Sequence, residues 1–192
     1  MQTIRVKEKI KEIPRILYRG KLIVAAVLIA GMAFYMGGKD KDKVPASNII
    51  ASKELPIYCV DTDEKCVALS FDAAWGDEYT SELLDILKTN NIKATFFMTG
   101  EWVEKYPESV KRMAEEGHEL GNHSENHKNM SKLSDAENLE ELMKVHEKVK
   151  TITGIEMKLF RPPYGDYDDG LIKLINANNY YPIQWSVDTL VI

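Results

Sequence analysis

Several side chains that can do acid–base or metal chemistry stand where apolar runs of the sequence break off. Asp72 ends Val67-Ala68-Leu69-Ser70-Phe71. His123 and His127 follow His118-Glu119-Leu120-Gly121-Asn122, Arg161 and Tyr164 follow Met157-Lys158-Leu159-Phe160, and Asp188 follows the run at 180–187. An unpaired carboxylate at the end of a buried strand is costly to desolvate, so Asp72 is expected to serve as a metal ligand or as a general base. His123 and His127 are spaced i, i+4 and reach one ion if the segment makes a helical turn. Zinc or a similar borderline divalent metal suits imidazole nitrogen. Three of the four histidines (His118, His123, His127) fall within ten residues, which strengthens the metal reading. Arg161 is the natural partner to keep Asp72 ionised and oriented. Pro162 and Pro163 stiffen the chain after it, so the Tyr164 N–H is presented where it could donate to a developing oxyanion.

These residues need a scaffold that brings strand ends together. The pattern alternates strand and helix. Strands are expected at 66–71, 92–100, 118–123, 157–165 and 180–187. Helices are expected at 79–91, with Thr80 or Ser81 as cap, at 109–117, at 134–154 between Ser134 and Gly154, and at 168–179. Such alternation means an α/β fold with a parallel sheet, as an open sheet or part of a barrel, and gathers functional residues at the carboxyl ends of the strands. His146 reads as a surface residue. Trp75, Trp102 and Trp185 read as packing or rim residues, with sugar stacking open to any that is exposed.

Charge is unevenly spread. Residues 1–21 hold seven Lys/Arg and two Glu, a net of +5, and the rest of the chain nets −10. An acidic body argues against nucleic acid as a partner. Residues 22–38, LIVAAVLIAGMAFYMGG, carry no charge. As a helix they would span roughly 26 Å at 1.5 Å per residue, against a hydrocarbon core of about 30 Å. An uncleaved signal anchor is favoured over a cleaved signal peptide, because no clear cleavage site follows. The expected organisation is a cytoplasmic basic segment (1–21), a single transmembrane anchor (22–38), a linker (39–55) and an extracellular domain (56–192). Cys59 and Cys66 flank Asp61-Thr62-Asp63-Glu64 in what reads as a β-hairpin, leaving open a cross-strand disulfide or two free buried thiols.

Taken together, SFDAAWGD (70–77), NHSENH (122–127) and FRPPYG (160–165) resemble the polysaccharide deacetylases of the NodB-homology group, carbohydrate esterase family 4, over roughly residues 65–190. The anchor makes the chain similar to the membrane-tethered, sporulation-associated members. The resemblance implies a distorted (β/α)7 barrel that removes N-acetyl groups from an N-acetylated polysaccharide such as peptidoglycan. It implies Asp72 as catalytic base, His123 and His127 as two ligands of a divalent metal, Arg161 as the holder of the base and the Tyr164 N–H as an oxyanion donor. The sequence departs from the family twice. The second Asp of the family's Phe-Asp-Asp motif, usually the third metal ligand, is Ala73 here, so a third ligand is expected from Asp77 or water, or the metal is held weakly. After the fifth strand the sequence reads Asp188-Thr189-Leu190-Val191-Ile192, without the family's Asp-Trp pair or its later Leu-x-His segment. About five βα units of an incomplete barrel are therefore expected, with exposed strand edges prone to aggregation. A non-catalytic glycan-binding or scaffold remnant of the fold is the alternative to an active enzyme.

Overall fold

The computed structural model describes residues 53–189. The basic segment 1–21, the expected anchor 22–38 and all but the end of the expected linker lie outside the described residues. Among the described residues no helix is long and apolar enough to cross a membrane.

Five short parallel strands run β1 (Ser70–Ala73), β2 (Thr95–Met98), β3 (Glu119–Asn122), β4 (Leu159–Phe160) and β5 (Tyr181–Pro182), and they lie side by side in that same order. Five helices fill the connections: α1 (Thr80–Thr89), α2 (Gly100–Lys105), α3 (Pro107–Glu115), α4 (Asp135–Thr153) and α5 (Asp169–Ala177). The order decides between the two architectures left open by the alternation. A doubly wound sheet reverses its strand order at a switch point. A strictly sequential order has no such point and is consistent with an arc of a barrel.

Strand alternation sorts the side chains onto two faces. On one face Phe71, Ala73, Phe96, Met98, Leu120 and Phe160 join Leu84, Leu87, Val110, Met113, Leu142, Val145, Leu171 and Ile175 from the helices in one apolar core. The other face carries Asp72, Phe97 and Gly121 in register. Several helix ends follow from the sequence. Ser134 and Glu137 form a capping box at the start of α4, and Gly154 ends it in the left-handed region (φ 74°) that glycine adopts without a Cβ penalty.

Four expectations are corrected. First, α1 is entered from Tyr79 with no side-chain cap. Second, α2 was not foreseen. Thr99 caps it, Tyr106 leaves helical geometry, and Pro107 opens α3 two residues earlier than expected, because proline suits a first helical turn and not an interior. Third, no hairpin joins Cys59 to Cys66. Ile57 instead pairs in parallel with Ile183, donating to Pro182 O (2.8 Å) and accepting from Gln184 N (2.8 Å). The segment before β1 thereby covers part of the β5 edge, and both cysteines are exposed free thiols. Fourth, His146 is half-buried, with Nδ1 2.6 Å from the Tyr180 hydroxyl.

Candidate active site at the carboxyl rim of the sheet

Arg161, one residue past β4, organises the rim. Its Nη1 donates to Asp72 Oδ1 at 2.6 Å, and its Nη2 donates to Ser70 Oγ at 2.9 Å and to Gln184 O at 3.4 Å. The guanidinium lies 4.0 Å above the Phe97 ring and 5.5 Å from that of Trp185, a cation–π arrangement that offsets part of its desolvation. The Arg161 side chain is 5% exposed and that of Asp72 37%, so the pair is dry at the arginine and open to solvent at the carboxylate. Gly121 makes this possible: a Cβ there would lie 2.4 Å from Phe97 Cδ1, displacing the ring on which Arg161 rests.

Arg161 also sets the state of His123. Its carbonyl lies 2.7 Å from His123 Nδ1. A carbonyl can only accept, so Nδ1 carries the proton and Nε2 carries the lone pair. Nε2 sits 3.8 Å from Asp72 Oδ2. Burial pushes the His123 imidazole down to about 4, outweighing the opposing pull of Asp72, so the ring is neutral near pH 7.

The chain from His123 to His127 does not make the expected helical turn. Ser124 and His127 both take left-handed backbone angles (φ 66° and 52°), and the resulting bend brings the two rings to 4.9 Å. Hydrogen bonds replace helix geometry in fixing that bend. Asn122 Oδ1 accepts from Ser124 N (3.0 Å), and Ser124 Oγ accepts from His127 N (3.1 Å). Glu141 of α4, 4% exposed, accepts from Asn126 N (2.8 Å) and Nδ2 (2.7 Å) and pairs with Lys128 (2.9 Å). These donors hold the Glu141 carboxyl below its ordinary range although burial opposes them. Burial also lowers the His127 imidazole.

Tyr164, 67% exposed and left-handed (φ 60°), packs its ring 4.6 Å from that of His127. Trp75, 77% exposed, lies 5.4 Å from His127 on a turn after β1. The structure therefore brings Asp72, His123, His127, Arg161 and Tyr164 together. His118 is not among them: it lies at the opposite end of β3, correcting the count of three clustered histidines. Asp77, considered as a third ligand, instead accepts from Ser109 Oγ at 2.9 Å. Ala73 packs against the apolar core and offers no donor atom. Among the described residues no group of three or more His, Cys, Asp or Glu side chains is gathered as a metal site. Two imidazole nitrogens still fit a borderline divalent ion as two of its ligands.

Sequence reading missed Ser70, Phe97, Gln184 and Glu141. Ser70 alone carried a signal, since period 2 places it on the face of Asp72.

The parallel α/β sheet gathers a carboxylate, an arginine and a histidine pair on one rim, and comparison with known proteins gives the arrangement a family. The polysaccharide deacetylase family model matches residues 60–183, about two-thirds of the chain, and the chain belongs to that family. It is 43% identical over 124 residues to a peptidoglycan-N-acetylglucosamine deacetylase of Bacillus cereus, covering 65% of this chain and 45% of that one. It is 36% identical over 141 residues to the peptidoglycan-N-acetylmuramic acid deacetylase PdaA of Bacillus subtilis, covering 73% and 54%. A wild-type family 4 pseudoenzyme from Bacillus anthracis superposes with a TM-score of 0.69 at 36% identity, covering 71% of this chain and 49% of that one. A mutant of that pseudoenzyme has restored enzymatic activity. The chain spans about half the length of the curated relatives it matches.

Proposed function

We propose that the chain is a membrane-anchored deacetylase domain that hydrolyses N-acetyl groups on a cell-wall polysaccharide of the peptidoglycan type. The observation that carries this reading is the Asp72–Arg161 ion pair at 2.6 Å facing the Nε2 of a neutral His123. His123 and His127 would hold a divalent ion, zinc by ligand type, which when bound supplies Lewis-acid polarisation of the acetyl carbonyl and of water. Asp72, paired with Arg161 and 37% exposed, takes the proton from the attacking water. Arg161, buried and hydrogen-bonded through Nη1 and Nη2 to Asp72, Ser70 and Gln184, keeps the carboxylate aimed. The Tyr164 N–H donates to the oxyanion that forms at the former carbonyl oxygen. Asp72 passes that proton to the departing nitrogen as the amide C–N bond breaks, giving acetic acid, which ionises to acetate, and the free amine. The tether rests on the uncharged run 22–38 after a basic head.

Acetate release from N-acetylglucosamine oligomers tests this reading. Activity is expected in the metal-supplemented chain and is expected to fall by about 10²-fold or more in Asp72→Asn, the scale of a lost general base. Unchanged release in that variant removes Asp72 as base.

Two observations favour a second reading, a glycan-binding domain without turnover. Ala73 replaces the expected third ligand, and a pseudoenzyme is among the structural neighbours. On that reading the wild type binds N-acetylglucosamine oligomers and releases no acetate.

A further inference from the structure

Trp75 is an exposed residue on a fixed turn. Its side chain is 77% exposed, yet the backbone on both sides is pinned. Ahead of it Ala73 O accepts from Thr99 N at 3.0 Å. Behind it Gly76 O accepts from the indole N–H of buried Trp102 at 3.0 Å, and Asp77 Oδ2 accepts from Ser109 Oγ at 2.9 Å. The Trp75 indole leans on one side of the His127 ring (5.4 Å between centroids, tilted 58°), and Tyr164 packs on the same imidazole at 4.6 Å. Two exposed aromatic rings thus border the histidine pair. Exposed aromatic rings beside such a site are a mark of binding, and a rigid turn removes the ordering cost from binding.

Resting on the deacetylase reading, we propose that Trp75, with Tyr164, forms a stacking subsite for a pyranose ring of the N-acetylated glycan, next to the residue whose acetamide enters the rim. The chemistry selects that occupant. A β-linked N-acetylglucosamine carries its substituents equatorially, so its ring faces present axial C–H groups and little polarity. Those hydrogens meet the negative face of an indole favourably, while the hydroxyls stay in the ring plane and remain hydrated. A nucleobase would also stack, but the body of the chain nets −10 and repels a phosphate backbone.

The test is a calorimetric titration of the full chain, in detergent, with the N-acetylglucosamine hexamer, run beside acetate release. Trp75→Ala is expected to weaken binding roughly tenfold, the scale of one aromatic stacking contact. Trp75→Phe is expected to recover most of it, with KM raised in Trp75→Ala and kcat little changed wherever turnover is measurable. Unchanged affinity in Trp75→Ala, or no binding by the wild type, overturns the subsite. Trp75-dependent binding by a chain that releases no acetate keeps the subsite and removes the hydrolase reading, so the two failures are distinguishable.

Discussion

The two ends of β3 each carry a buried histidine, and the two are wired in opposite senses. At the amino end His118 Nδ1 accepts from Ala94 N at 3.2 Å. A backbone N–H can only donate, so this ring keeps its proton on Nε2, and its lone pair is consumed by the fold. Its edge packs on Phe96 at 5.2 Å. At the carboxyl end His123 Nδ1 donates to Arg161 O, and its lone pair on Nε2 faces Asp72 and His127. Both imidazoles are lowered by burial and both are neutral near pH 7. The difference is which nitrogen the backbone claims. One tautomer holds a sheet together, and the other leaves a lone pair open at the rim.

Breaking the rim gives the largest expected effect. Arg161→Ala removes a buried guanidinium with its bonds to Asp72, Ser70 and Gln184 and its packing on Phe97, and is expected to lower the unfolding free energy by about 3 kcal/mol, measured by urea denaturation. Acid comes next. The folded-state value of His123 lies below that of the unfolded chain, so the unfolded state binds more protons between them. Its stability contribution is complete above about pH 6.5 and is lost as the pH falls from there toward about 4. In the metal-free chain this amounts to roughly 3 kcal/mol, readable as a falling urea midpoint. His118 adds a loss of the same sign. His118→Ala leaves the Ala94 N–H without its acceptor and is expected to cost about 2 kcal/mol with zinc affinity unchanged, whereas His123→Ala is expected to abolish zinc binding. Equal losses of zinc affinity in these two variants would erase the distinction. The smallest effect falls on the loop clamp. Glu141→Ala frees Asn126 and is expected to weaken zinc binding by roughly tenfold, measured by titration with zinc alone.

Much of this was legible in the sequence. Period-2 and period-3.6 runs with Ser134, Gly117 and Gly154 at their ends gave the alternating elements, and the residues after each strand gave the rim. Asp72, His123, His127 and Arg161 meet as their strand ends require. Other features depend on contacts distant in sequence. No local pattern says that Gly121 makes room for Phe97, or that Glu141 on α4 grips Asn126. The hairpin at Cys59–Cys66 failed because Ile57 found a partner in Ile183, across the sheet. The two histidines expected from i, i+4 spacing do come together, but by another geometry, since left-handed Ser124 and His127 do the work of a helical turn. His118 was counted with the site because proximity in sequence conceals that a strand separates its two ends.

The most direct test is the nitrogen state of the histidines in the metal-free, 15N-labelled chain at neutral pH, before and after zinc. His123 should carry its proton on Nδ1 and His118 on Nε2, and zinc should shift Nε2 of His123 and a ring nitrogen of His127 while leaving His118 unmoved. A His123 protonated on Nε2, or a zinc response at His118 in place of the rim pair, would contradict the account.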